Sequence, residues 1–424
     1  MTAFLAPVAP RERIDVIDML RGFAVFGILV VNTFYFFNPW YAPQVTDASS
    51  TADHVAHFVI YFLFVSKFYT LFSFLFGLGM FIQMSRAEEK GAAFVPAYLR
   101  RLLILGIFGL AHGVLLWVGD ILFVYAVTGL VLLFLFRNRS PRTLLVWAII
   151  LIAIPVLFIG LSAGAVEFAR MAPPETGAYE AVEAGFAQSA AQLSADTAED
   201  YVIYGSGSFA EITAERWRDF TGILMMVGWF MLPSVLAMFL LGLRAGKRGW
   251  FTHQDEHRVT FRRLLMWALP LGLIMNFYVG ISGFSQNQLG MEAFGLETAL
   301  QVAALNIGSV LLSMSYVAGI MLISQSNRGH RILAPLAPVG RMALTNYLTH
   351  SIVMTTLAYG YGFGLFGQVG LALGFVMAVA LYAVQIPLSR WWLSRFRFGP
   401  FEWLWRTLTY MRRQPMKTAK RLAA

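Results

Sequence analysis

Residues 143–164, TLLVWAIILIAIPVLFIGLSAG, contain no charged side chain in 22 positions. At about 1.5 Å per helical residue the stretch reaches roughly 33 Å, enough to cross the roughly 30 Å hydrocarbon layer of a bilayer. A barrel strand does not fit, because apolar residues run on here instead of alternating with polar ones. Comparable runs recur at 19–39, 58–84, 102–118, 121–136, 220–243, 264–281, 299–325, 342–362 and 368–389. The pattern predicts an all-α fold, a polytopic membrane helix bundle of about ten transmembrane helices.

Composition points the same way. Of 424 residues 58% are hydrophobic and 13% charged, with a mean hydropathy of +0.65, a balance that ordinary soluble domains do not show. The chain divides into an N-terminal five-helix half (1–164), an extracytoplasmic segment rich in Ala and Glu (165–217), a C-terminal five-helix half (218–390) and a basic aromatic tail (391–424). Ser208 followed by Glu211 fits a capping box and predicts a helix start near the end of the extracytoplasmic segment. The first apolar run begins after Arg11, Arg13 and Arg21 and has no small-residue cleavage pattern, so it is expected to stay as the first helix.

Charge orients the bundle. Most of the 32 Lys and Arg residues fall on alternate connections, among them Arg21, Arg86, Arg100, Arg101, Arg137, Arg244, Arg263, Arg341 and the tail. The positive-inside rule makes that face cytoplasmic and puts both termini there. The net charge of +9 therefore implies contact with anionic lipid at the cytoplasmic face and no nucleic-acid partner. In the tail, Phe401, Leu404, Trp405 and Leu408 share one helical face, with Arg406 and Arg413 elsewhere, as in an interfacial helix. Without cysteine there is no thiol catalysis, thiolate metal site or disulfide. P-loop, HExxH and GxSxG patterns are absent too, so neither a metal nor a permanently bound cofactor is expected. The oligomeric state is not legible.

The stretch GLAHGVLLWVGDILFVYAVTG, 109–129, sets His112 and Asp120 in apolar surroundings. Depth can be measured from the nearest basic residue of the cytoplasmic face. Asn32 lies eleven residues past Arg21 and His112 eleven past Arg101, about 16 Å in. His350, nine past Arg341, and Asn276, thirteen past Arg263, fall near the same tier. Asp120, in the turn VGD, and Lys67, nineteen residues before Arg86, define an outer layer. Eight residues of unbroken helix would hold His112 and Asp120 roughly 12 Å apart, so Asp120 is expected to meet Lys67 rather than His112. An inward histidine can equally serve only to hydrogen-bond a neighbouring helix, and His350 and the asparagines lean that way. His54 and His57 read as exposed loop residues.

Five stretches together resemble the YeiB-type family of bacterial inner-membrane proteins: DMLRGFAVFGILVVN (18–32), KFYTLFSFLFGLGM (67–80), 109–129, VGRMALTNYLTHSI (339–352) and FGPFEWLWRTLTY (398–410). The resemblance implies residence in the bacterial cytoplasmic membrane. More distantly, RIDVIDMLRGFAV is similar to the start of transmembrane acyltransferases, which pass an acyl group from cytoplasmic acyl-CoA to an acceptor across the membrane. That similarity implies a reactive histidine after the first helix, where this chain has His54 and His57; His112 competes for the role.

Acyl transfer is accordingly the first expectation, with acyl-CoA as co-substrate and a glycan, lipid or small molecule as acceptor. Arg21, Arg100, Arg101 and Arg341 would hold the CoA phosphates, for which guanidinium geometry is suited. His112 would act as general base, and Asn32 or Asn346 would donate to the oxyanion. Lys67, Asp120 and Arg216 would position the acceptor. A secondary transporter or flippase is the alternative, since buried polar residues around a protonatable histidine suit a carrier as well. An assembly module docking through its acidic outer segment ranks last.

Overall fold

The computed structural model describes residues 14–46, 48–282 and 295–417. Each of the ten apolar runs coincides with helix over most of its length, and the described residues contain no sheet. In chain order the first half holds α1 (Asp15–Phe37), α2 (Thr51–Leu63), α3 (Lys67–Glu89), α4 (Phe94–Leu115), α5 (Leu122–Val131, continued by a π-helical turn to Phe136) and α6 (Pro141–Met171). A surface helix, α7 (Ala178–Ser206), leads into the long α8 (Phe209–Lys247). Then follow α9 (Arg258–Ile281), α10 (Leu296–Ser324), two short helices α11 (Asn327–Leu333) and α12 (Leu336–Arg341), α13 (Ala343–Ala358), α14 (Leu371–Arg395) and α15 (Pro400–Tyr410).

Seven helical stretches among the described residues are long and apolar enough to cross a membrane: α1, α2 with α3, α4, α6, α9, α10 and α14. Their outward faces carry large apolar side chains in the open, such as Ile149, Leu157 and Leu161 on α6 and Trp267 and Ile274 on α9. In water such bands would drive aggregation; in hydrocarbon they are the solvated surface. The capping box at Ser208 and Glu211 is present and starts α8.

The run 58–84, read as one helix, is two. Ser66 takes a left-handed conformation (φ 65°), and the Lys67 ammonium donates to Tyr61 O at 2.6 Å. Neither glycine nor proline marks this break in the sequence. Deeper in the core α3 and α8 cross at backbone contact: a Cβ on Gly77 would collide with Phe239 O, and one on Gly242 with Phe74 O. Both ends of the described chain converge on one end of the bundle, where Asp15 and Arg21 share a cavity with Arg397, Arg406 and Tyr410. The tail helix α15 packs on α4 and α13, not on lipid alone. Phe401 and Trp405 turn into the protein, while Leu404 and Leu408 stay exposed.

Candidate functional site

α4 ends at Leu115, and the amides of Leu116 and Trp117 both turn back to His112 O. Residues 116–121 then leave the helix; Trp117 is buried and its indole donates to Tyr35 O at 3.2 Å, pinning the link down. The chain therefore folds back instead of climbing, and Asp120 returns beside α4. Gly109 permits the approach, since a Cβ there would meet Phe123 N. His112 Nδ1 lies 2.9 Å from Asp120 Oδ1, which corrects the expectation that the two stand apart. The 12 Å spacing assumed an unbroken helix, and the helix stops three residues past His112. Asp120 Oδ2 accepts from Phe123 N at 2.7 Å, so both its oxygens are held.

On the far side of the ring, His112 Nε2 lies 2.7 Å from Ser351 Oγ on α13. In the tautomer whose Nδ1–H donates to Asp120 Oδ1, Nε2 is left as the acceptor for the serine hydroxyl. Tyr347, one turn earlier on α13, stacks obliquely against the imidazole with ring centroids 5.0 Å apart. The His112 side chain is 1% exposed and that of Asp120 fully buried.

Two cavities approach this centre. The larger, about 990 Å³, lies at the end of the bundle where the chain ends meet; it is lined by Arg21, Arg86, Lys90, Arg101, Arg341 and Arg397, among others, and reaches Ile28, Ile121, Tyr125 and Tyr347. The smaller, about 270 Å³, is lined by Asn32, Tyr35, Ser66, Tyr69 and Asp120. Ile28 and Ile121 line both. Among the residues singled out from sequence, Arg21, Arg101 and Arg341 border the large basic cavity, and Asn32 and Asp120 the small one. His112 borders neither directly, but touches Tyr347 on one side and Asp120 on the other.

Other candidates lie elsewhere. Arg100 is exposed and its guanidinium reaches Met411 Sδ at 3.5 Å, because one residue along a helix turns a side chain by 100° away from Arg101. Lys67 is wholly buried on Tyr61 O and does not meet Asp120, whose oxygens are taken by His112 and Phe123. His54 and His57 are on α2, not in a loop; His54 is exposed, whereas His57 is buried with its ring centroid 4.5 Å from that of Tyr61. Arg216 is buried on α8, donating to Ile212 O and Thr213 Oγ1 beneath Tyr359. Asn346 donates to Val339 O and Ser389 Oγ, and His350 Nε2 meets Gln385 Oε1 at 2.8 Å, so both tie α13 to its neighbours.

Sequence reasoning missed Ser351, Tyr347 and the contribution of the tail. Tyr347 and Ser351 are four apart, on one face of α13, beside the histidine that drew the attention. The tail reaches the basic cavity through Glu402, whose carboxylate accepts from Thr345 N and Thr345 Oγ1, and through Trp405, whose indole donates to Arg101 O while its ring lies 3.7 Å from the Arg101 guanidinium carbon. At the opposite end of the bundle, Asp200 of α7 clusters with Glu215 and Asp219 of α8, with carboxylate oxygens within 4.8 Å of one another. Burial, and then the charges of Asp219 and Glu215, push the Asp200 carboxyl up to about 8.

Helices that turn apolar faces outward around a buried polar centre define a polytopic α-helical membrane protein. Residues 245–412 match the family model described as Protein of unknown function (DUF418). Over 97% of its length the chain is 37% identical to the "Uncharacterized protein YxaH" of Bacillus subtilis, covering 98% of that relative. It is 29% identical to the "Uncharacterized protein YeiB" of Escherichia coli, over 94% of this chain and 96% of the relative. A Bacillus acidopullulyticus relative, "Uncharacterized 39.9 kDa protein in amylase 3'region", is 28% identical over 98% of this chain and 99% of its own. The chain belongs to this YeiB-like DUF418 family.

Proposed function

We propose that the protein is a membrane-embedded acyltransferase that takes an acyl group from an acyl-CoA held in the basic cavity and passes it to an acceptor entering from the opposite face. The observation that carries this reading is the pairing of the two cavities across Ile28 and Ile121, with the His112–Asp120 pair beside that junction. A volume of about 990 Å³ is at the upper end of ligand sites, typically about 300–1,000 Å³, and suits a large donor. Arg21, Arg101 and Arg341 offer donors to its phosphates.

In this scheme Asp120 fixes the tautomer and orientation of His112, and His112 takes the proton of the attacking hydroxyl. Asn32, on the wall of the smaller cavity, donates to the carbonyl oxygen as negative charge develops. The test is to supply labelled acetyl-CoA or palmitoyl-CoA to membrane vesicles presenting the arginine-rich face and to follow label into lipid, glycan and small molecules. Transfer is expected with the native protein and a loss of roughly 10²–10⁴-fold in His112→Ala. Arg101→Gln with Arg341→Gln should weaken donor binding and flatten its salt dependence.

Two cavities that share the wall residues Ile28 and Ile121 also suit alternating access by a carrier. Solute flux in proteoliposomes without acyl donor, together with no transfer from either donor, would replace the first reading with this one.

A further inference from the structure

Several buried hydroxyls in these helices donate to the carbonyl four residues back. Thr33 does so to Leu29 O, Ser73 to Tyr69 O, Ser315 to Leu311 O and Thr355 to Ser351 O, at 2.7 to 2.8 Å. This is the ordinary way for a serine or threonine to satisfy itself inside an apolar helix. Ser351 departs from it. Among the described residues the one hydrogen-bond partner of its hydroxyl is His112 Nε2, 2.7 Å away and 239 positions distant in sequence.

The result is a continuous line: Ser351 Oγ, His112 Nε2, His112 Nδ1, Asp120 Oδ1, with Asp120 Oδ2 fixed by Phe123 N. A carboxylate that holds an imidazole, which in turn accepts from a hydroxyl, is the arrangement that makes serine a nucleophile. Three separate segments, α13, the end of α4 and the link 116–121, build it. A bond serving only to join two helices would need the serine and histidine but not a carboxylate secured on both oxygens behind them.

Resting on the acyl-transfer reading, we infer that Ser351 is the nucleophile and carries the acyl group as an ester between the two half-reactions. Ser351 Oγ attacks the thioester carbonyl while His112 Nε2 takes its proton. The C–S bond breaks, and the thiolate receives that proton and leaves as CoA. An acceptor hydroxyl from the smaller cavity then attacks the ester carbonyl, giving its proton to His112. The bond to Ser351 Oγ breaks, and the serine recovers the proton. Neither CoA nor acceptor has to pass the partition. Tyr347 borders the basic cavity and stacks on His112, and its hydroxyl makes a long 3.4 Å contact to Gly119 O. Ser351 is fully buried and lines neither cavity, so in this scheme the Tyr347 side chain would have to turn for the thioester to reach it.

The experiment incubates the purified full-length protein with [1-¹⁴C]acetyl-CoA and, separately, [1-¹⁴C]palmitoyl-CoA without acceptor, quenches in acid and counts label on the chain. Label on the peptide containing Ser351, matched by an equal release of CoA, is expected. Ser351→Ala should lose both the label and the transfer seen in vesicles. Ser351→Cys should give a label that neutral hydroxylamine removes, since a thioester yields where the native ester does not. Thermal unfolding of both variants separates a lost nucleophile from a lost fold. If Ser351→Ala transfers acyl groups to acceptor within a few-fold of the native rate, Ser351 is not the nucleophile and the acyl group passes directly from the thioester to the acceptor, with His112 as base. If the native protein neither takes label nor transfers from either donor, this inference and the acyl-transfer reading fall together.

Discussion

At Asp200 a single side chain makes the outer end of the bundle sensitive to pH. Its neighbours Glu215, Asp219 and Asp196 repel its charge, and Arg218, engaged with Glu199 and Glu215, offsets only part of this. The folded protein keeps the Asp200 proton up to about pH 8, whereas the unfolded chain releases it at roughly pH 4. Stability from this group is complete below the lower value and is lost as pH rises through the upper one. Glu215, also raised by burial, acts in the same direction. Docking of α7 on α8 should therefore loosen between pH 6 and pH 9. Hydrogen exchange in α7, corrected for intrinsic rate, should show it, and Asp200→Asn should flatten most of the difference. The same scale limits what could be read in advance. His112, Asp120, Asn32 and the arginines could be found from depth along a helix, because burial of a polar group is visible in composition alone. Their pairing could not, since a bond of 2.9 Å depends on where the backbone stops being helical.

Elements were legible where hydrophobic length decided them and illegible where backbone geometry did. The apolar runs and the start of α8 at Ser208 followed from residue types. The break between α2 and α3 did not, because Ser66 adopts its left-handed turn without a glycine. Nor did the inward packing of α15, where Glu402 and Trp405 choose Thr345 and Arg101 over lipid. The α3–α8 crossing gives a contrast in one residue type. Gly242→Ala would place a methyl against Phe74 O at a backbone contact and should cost about 1–3 kcal/mol, the usual penalty of overpacking. Gly160→Ala on α6, where nothing lies within 4 Å of the added Cβ, should stabilise by about 0.5–1 kcal/mol through lost unfolded-state freedom. Thermal unfolding in detergent should move the two variants in opposite directions.

For the whole molecule the governing feature is the wall that two of its cavities share. Ile28 and Ile121 line both the basic chamber of about 990 Å³ and the smaller one of about 270 Å³. Replacing both isoleucines with glycine should make protein-containing liposomes dissipate an imposed potassium diffusion potential faster than the native protein does, as followed with a voltage-sensitive dye. No change would mean that other side chains close the gap. Were both cavities filled with solvent from opposite faces, much of an imposed voltage would fall across the wall they share, and a charge carried through the whole of it would feel about 2.3 kcal/mol per 100 mV. An uncharged acyl group would cross with no electrical work, so its passage should proceed equally in energised and depolarised membranes.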